Sequence, residues 1–312
     1  MRPAPPLLAI VGPTGSGKTD LALALAREMD VEILVADSRQ VYREMDIGTA
    51  KPDAAARSAV PHHLLDLAAP NEPFSLFDWL SAARRVLPDV GERGRLPLVV
   101  GGTGLYVSAL VDGYQLSAAR RDPVRRAALS AELAAGGLPR MVVRLAAADP
   151  ATAARIDARN PRRVLRALER VDAGEVGEGS RREPYPGPAR LIGIARPRDV
   201  LVRRIAARAA ALFAGGLLEE VRALLAAGYG PDLEPMTGHG YREAARHLAG
   251  EWPLEQAIEV TALRTAQYAR RQMTWFRRDS TIRWLDAADR PADHPSIVAD
   301  ALGVARELAA LP

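Results

Sequence analysis

The chain has 312 residues, 48% of them hydrophobic and 26% charged, with a formal net charge of +4 and no cysteine. This is ordinary globular composition; it excludes wholesale disorder, a disulfide framework, a thiolate zinc site, an iron–sulfur cluster and a cysteine nucleophile. No apolar run approaches the roughly 20 residues that cross a bilayer, and Met1-Arg2-Pro3-Ala4-Pro5-Pro6 lacks the marks of a secretory signal, so a soluble, cytoplasmic, monomeric chain with no membrane partner is expected.

Leu7-Leu8-Ala9-Ile10-Val11 is a short apolar run that stops at a glycine, the form of a strand buried on both faces. Lys18 to Met29 follows as a helix of good formers, with Leu21, Ala22, Leu25 and Ala26 on its buried face. Val31 to Ala36 is a second apolar run, ending at Asp37, and Leu64-Leu65-Asp66-Leu67 and Leu96-Pro97-Leu98-Val99-Val100 read as two further strands. Strands alternating with helical sequence predict an α/β fold: a mostly parallel sheet flanked by helices. The pattern breaks near residue 118. From there to 188 the sequence is helical and rich in arginine, with Asp122-Pro123, Asp149-Pro150 and Asn160-Pro161 as three helix starts. The stretch from Gly174 to Pro188 reads as a loop, Leu191 to Ile194 as a strand, and Ile282 to Leu285 as a last strand after long helices. The expected organisation is a discontinuous core, 1–117 and 189–312, interrupted by a helical, Arg-rich insertion domain, 118–188.

Charge is divided along the same line. Residues 1–118 hold 11 basic and 14 acidic side chains, whereas residues 119–312 hold 31 and 24. A basic second half suits a polyanionic partner. All but Lys18 and Lys51 of the 42 basic residues are arginine, a skew that by itself says little.

Gly12-Pro13-Thr14-Gly15-Ser16-Gly17-Lys18-Thr19 matches G-x-x-x-x-G-K-[S/T] between a strand and a helix, so this is a P-loop core. Glycines let successive N–H groups face one cavity at a helix N-terminus, where the helix dipole favours an anion. Lys18 adds a point charge for the terminal phosphate, and the Thr19 hydroxyl can ligate Mg²⁺. A di- or triphosphate is the expected ligand. No N/T-K-x-D segment is present, which excludes a GTPase, and Leu98-Val99-Val100 runs into Gly101-Gly102-Thr103-Gly104 rather than the acid of a motor ATPase. Asp37 is the acid placed to enter the phosphate cleft at the carboxyl edge of the sheet.

These blocks, with Asp37-Ser38-Arg39-Gln40-Val41-Tyr42, Asp46 to Pro52, Gly101 to Tyr106, Gly240-Tyr241-Arg242-Glu243 and Arg271-Gln272-Met273-Thr274-Trp275-Phe276-Arg277, resemble the tRNA dimethylallyltransferase (tRNA isopentenyltransferase) family over nearly the whole chain. The family has an aliphatic residue where this sequence has His239 before Gly240. The resemblance implies transfer of a dimethylallyl group from dimethylallyl diphosphate to N6 of the adenosine 3′-adjacent to the anticodon, in tRNAs reading codons that start with U. The tRNA anticodon stem-loop and dimethylallyl diphosphate are then the partners and Mg²⁺ the cofactor. It makes the P-loop residues Gly12 to Thr19 the diphosphate site, with Lys18, Thr103 and Arg208 stabilising the departing pyrophosphate. Asp37, by its position and by resemblance, takes the proton of the exocyclic amine. The target base must leave its stack to be reached.

The resemblance places tRNA contacts on Asp37, Ser38, Arg39 and Gln40, on Thr103 and Arg126, on Arg162, Arg163, Val164, Leu165 and Arg166, on Gly240, Tyr241 and Arg242, and on Arg271, Gln272, Trp275 and Arg277. Two patterns in the residues agree with an RNA partner. Arg264, Tyr268, Arg271, Trp275 and Arg278 fall on one helical face, basic residues interleaved with aromatics. Arg162, Arg166 and Arg170 form a basic stripe opposite Val164, Leu168 and Val171. His62 and His63 have no metal-ligand spacing and read as structural. The alternatives are a P-loop kinase using ATP on a small molecule, isopentenyl transfer to free adenine nucleotides, and a nucleotide-switched RNA-binding protein.

Overall fold

The computed structural model describes residues 4–116, 122–176 and 182–311. Among these, six strands form one sheet: β1 (Leu7–Val11), β2 (Val31–Val35), β3 (His62–His63), β4 (Leu96–Gly101), β5 (Ala189–Ala195) and β6 (Ile282–Asp286). Their order is β3-β2-β4-β1-β5-β6 and every neighbouring pair is parallel. Strands β1, β2 and β4 are buried along their whole length, which is why they read as apolar runs, interrupted in β2 only by Glu32, rather than alternating ones.

The helices are α1 (Lys18–Ala26), α2 (Ala54–Ala59), α3 (Leu76–Glu92), α4 (Gly104–Val111), α5 (Pro123–Ala148, broken at Gly137), α6 (Pro150–Arg155), α7 (Pro161–Asp172), α8 (Arg198–Ala214), α9 (Leu217–Ala226), α10 (Tyr241–Leu248), α11 (Leu254–Phe276) and α12 (Pro295–Ala309). The chain divides into two compact units, one of Met1–Asp112 with Pro184–Pro312 and one of Gly113–Glu183. In the first, Leu8, Ile10, Ile33, Val35, Leu98, Val100, Ile192 and Ile194 make one face of the sheet, covered by Leu21, Ala22 and Leu25 of α1 and by Ile297, Ala301 and Leu308 of α12. On α3, Trp79 is fully buried, donates from its indole N–H to the Val35 carbonyl (2.9 Å) and stacks on Tyr106 of α4.

In the second unit, Leu129, Met141 and Leu145 of α5 pack with Val164, Leu165 and Leu168 of α7. All three expected helix starts hold. Asp122, Asp149 and Asn160 each accept backbone N–H groups of the following turn, with proline next in line.

Two expectations need correction. Helix α1 ends at Ala26 rather than Met29, because Arg27 and Glu28 donate three residues back, to Ala24 and Leu25, and tighten the last turn. The strand expected at Leu64–Leu67 is instead His62–His63. Leu64 and Asp66 have φ of 68° and 58°, a left-handed backbone that cannot continue a ladder. The loop expected between Gly174 and Pro188 lies partly outside the described residues.

Glu32 breaks the apolar run of β2, and the structure shows how it is tolerated. Its carboxylate, 2% exposed, accepts from Arg93 (2.8 and 2.7 Å) and Arg95 (3.2 Å) and meets His63 Nε2 at 2.6 Å. The Arg93 hydrogen bonds, aided by His63, hold its carboxyl at about 2 against the opposing cost of burial. A depressed carboxyl stabilises the fold above its ordinary range of 4.5 and loses that contribution as pH falls toward 2. Glu32→Gln should therefore lower stability near pH 7 by about 1–2 kcal/mol, discounted for its half-exposed arginine partners. Urea unfolding of variant and parent at successively lower pH should show the gap closing between pH 4.5 and 2.

Candidate active site

The carboxyl ends of β1, β2 and β4 open on one cavity of about 340 Å³, lined by the glycine-rich loop, Asp37, Gln40, Gly101, Gly102, Arg204, Arg208, Tyr268 and Gln272. The loop after β1 needs its glycines: Gly12, Gly15 and Gly17 have φ of 142°, 79° and 101°. Two guanidinium groups pin its peptide planes. Arg204 donates to the Gly15 carbonyl (2.9 Å) and Arg196 to the Ser16 carbonyl (2.8 Å). Carbonyl and N–H of a trans peptide point opposite ways, so anchoring the Ser16 carbonyl aims the Gly17 N–H away from Arg196, to the side of the cavity that Gly17 lines.

Lys18 opens α1, and its ammonium donates to the Pro13 carbonyl (2.9 Å). Burial pulls Lys18 down to about 8, with Arg208 pushing the same way and Asp37 opposing both. Arg208 is also lowered by burial and supported by Asp37 and Asp20. A cavity that desolvates two cations on the same side is a site for a polyanion, whose charge repays what burial costs.

Asp37 stands at the end of β2. Its Oδ1 accepts from the Arg39 N–H (2.8 Å), a local turn that fixes the carboxylate at the cavity wall. Thr103, just past β4, accepts from the Ser38 N–H through its hydroxyl (3.0 Å) and donates its own N–H to the Ala36 carbonyl (3.2 Å). Lys18, Asp37, Thr103 and Arg208 are thus brought to one region by three neighbouring strands and α8. Thr19 lines the same cavity with an exposed side chain, and so does Asp20. A hydroxyl and carboxylates are oxygen donors that suit Mg²⁺, and no three carboxylate or histidine groups among the described residues are arranged to cage a metal alone. Such a donor set fits an ion that keeps water and phosphate oxygens as its other ligands.

The residues expected at an RNA contact are sorted differently by the structure. Tyr241 is 2% exposed and donates its hydroxyl to Glu220 (2.5 Å). Gly240 begins α10 with its N–H on the buried Glu243 (2.7 Å), while Arg242 is half-buried at the second position of that helix. Val164 and Leu165 are core residues of the helical unit, so their side chains serve packing. Gln272 is also buried, its amide taken up by Thr14 and Gly102. Arg264 of the basic–aromatic face is committed to Glu243 (2.6 Å). Gln40 donates to the carbonyls of Thr49 and Ala50, and Arg39 to that of Glu234. Arg126 and Arg166 share the buried Glu169 (2.9 and 3.2 Å), whereas Arg162 and Arg163 are exposed. Arg271 on α11 and Arg277 and Arg278 just past its end are exposed, with half-buried Trp275, which packs closely on Gly104. His63 is structural as read, but His62 lines the cavity.

Three residues of the site are not among those expected in it: Arg204, Tyr268 and Glu220. The first two lie four residues before Arg208 and Gln272, on the same helical faces; Tyr268 also belongs to the basic–aromatic face read from the sequence, though that pattern points to RNA rather than to the cavity it lines. Glu220 leaves no such signal. From α9 its carboxylate accepts the N–H groups of Asp46 (2.8 Å), Ile47 (2.6 Å) and Gly48 (3.1 Å) as well as the Tyr241 hydroxyl. It thereby sets the turn whose Thr49, Ala50 and Pro52 wall the cavity.

Comparison with known proteins follows the same lines. A model of the IPP transferase family matches residues 40–279, and one of isopentenyl transferase matches residues 5–61. The chain is 48% identical over 289 residues to the tRNA dimethylallyltransferase of Syntrophobacter fumaroxidans, covering 91% of this chain and 84% of that one. It is 46% identical to that of Roseiflexus castenholzii, covering 97% and 98%. Among solved structures it resembles the full-length tRNA isopentenylpyrophosphate transferase of Bacillus halodurans, with TM-score 0.71, 38% identity and coverage of 97% and 96%.

Removing the Glu220 carboxylate strands three backbone donors. Glu220→Ala should cost roughly 2–4 kcal/mol, and Tyr241→Phe about 1 kcal/mol, in the free energy of denaturant unfolding.

Proposed function

Because the chain belongs to the IPP transferase family, we propose that it transfers the dimethylallyl group of dimethylallyl diphosphate to N6 of the adenosine 3′-adjacent to the anticodon, in tRNAs reading codons that begin with U. The observation that carries this reading is the meeting, in one cavity, of a cationic phosphate nest with the Asp37 carboxylate. Names of the relatives supply the group transferred and the acceptor. A kinase would use the same nest and carboxylate, and it is the relatives' names that favour transfer to tRNA instead.

In the reaction the allylic C–O bond to diphosphate breaks and a C–N bond to the adenine amine forms. Negative charge builds on the departing diphosphate, where the loop N–H groups, Lys18, Arg208 and the Thr103 hydroxyl stabilise it. The amine is a weak nucleophile because its lone pair is delocalised into the ring. Asp37 accepts its proton as the new bond forms. The Thr19 hydroxyl would hold Mg²⁺, which would supply further charge neutralisation.

The RNA is met by exposed cations: Arg162 and Arg163 on α7, Arg271 with Trp275 on α11, and Arg277 just past its end. Arg126 and Arg166 reach phosphate only in competition with Glu169. The base itself must enter the cavity beside Asp37 to present its amine.

The decisive experiment incubates the protein with unmodified tRNA, Mg²⁺ and labelled dimethylallyl diphosphate and analyses the nucleosides. Label should appear as N6-dimethylallyladenosine; its absence sinks the proposal. Asp37→Ala should lower turnover by about 10²–10⁴-fold while pyrophosphate binding is retained, as judged by calorimetric titration. The double charge reversal Arg162→Glu with Arg163→Glu should weaken tRNA binding and flatten the slope of log affinity against log salt by roughly 0.7–0.9 for each phosphate neutralised by the parent arginines. An unchanged slope would remove α7 from the interface.

A further inference from the structure

Gln272 and Tyr268 stand one turn apart on α11, facing inward rather than toward RNA. Gln272 is 6% exposed and both ends of its amide are used: Oε1 accepts from the Thr14 N–H (2.9 Å) and Nε2 donates to the Gly102 carbonyl (2.8 Å). The fit is close enough that a Cβ on Gly102 would lie 2.3 Å from Nε2. Tyr268, also on the cavity wall, lies beside Thr103 and Gln272, and both influence its hydroxyl. Thr103 in turn holds Ser38, the neighbour of Asp37. Hydrogen bonds at either end of the Gly102–Thr103 turn therefore connect the glycine-rich loop to the corner that carries the carboxylate.

A primary amide is suited to such a span because it presents a donor and an acceptor on one rigid plane. Here that plane ties Thr14 directly to the turn after β4. We propose that Gln272 and Tyr268 are positioning residues that fix the separation between the departing diphosphate and the proton-accepting Asp37. The inference rests on the transfer reaction proposed above. It differs from a role in RNA contact, because the amide is buried and already spent on the protein's own backbone.

Transfer needs the reacting atoms within a narrow range, and a misplacement of about 1 Å costs roughly 10²-fold in rate. The test compares Gln272→Met, Gln272→Glu and Tyr268→Phe with the parent in steady-state transfer to tRNA. Pyrophosphate affinity, tRNA affinity by filter binding and the melting temperature are measured on each variant. Gln272→Met should lose about 10–100-fold in kcat, with KM for tRNA and both affinities within about threefold of the parent. Gln272→Glu retains the acceptor for Thr14 but cannot donate to Gly102 when ionised, and should fall between the two. Tyr268→Phe retains the ring and its packing, so it carries the test even if Gln272 variants fold poorly; a loss of about 10-fold in kcat is expected. The double variant should lose less than the product of the single losses, because both act through the same turn. Parental kcat in Gln272→Met and Tyr268→Phe would overturn the inference, and so would a loss confined to KM for tRNA. Failure of the unmodified protein to transfer any dimethylallyl group would instead overturn the reaction itself.

Discussion

The position of β4 between β2 and β1 governs the site. Parallel pairing on both sides of β4 brings three strand ends to one edge, with the turn Gly101–Thr103 lying between the glycine-rich loop and the Asp37 corner. Thr103 fastens that turn to β2 through Ala36 and Ser38, and Gln272 fastens it to the loop through Thr14. A parallel sheet leaves its ligand crevice at the carboxyl edge, and here hydrogen bonds between the turns give that crevice a fixed width.

Electrostatics follow from this enclosure. The same walls that assemble the loop remove Lys18 and Arg208 from water, so both are held as cations at a cost. Arg196 and Arg204 add positive charge beside the loop while occupying the Ser16 and Gly15 carbonyls. The carbonyl oxygens that would repel a phosphate are thereby turned to guanidinium groups, and N–H groups are left for the anion. The acids in the cavity, Asp20 and Asp37, offset part of the cationic field from its walls.

Much of this is legible in the residues. Buried apolar strands, the loop motif, the three Asx–Pro helix starts and the acid after β2 are all local patterns, and the structure follows each of them. Sequence and structure part where tertiary contacts override the local text. Leu64–Leu67 has the composition of a strand, yet Asp66 is drawn to Lys51 and Arg57 and the backbone turns left-handed to reach them. Tyr241 and Gln272 sit in motifs that suggest RNA contact, but their partners, Glu220 and Thr14, are 21 and 258 residues away. No spacing rule connects residues so far apart. The basic stripe on α7 is visible as a period of four, and Arg166 reaches Glu169 three residues on in the same helix, while the burial of Glu169 and its second partner, Arg126 of α5, depend on how the two helices pack.

The back of the glycine-rich loop is made by the far end of the chain. Arg196 joins the Ser16 carbonyl to those of Ala288 and Arg290, and Ala292 sits where a side chain on Gly17 would have to go. The segment after β6 is thus a backstop for the phosphate nest and no dispensable tail. A truncation that spared every residue of the cavity but removed this segment would leave the nest without its rear wall, and a bulkier residue in place of Ala292 would push on it from outside.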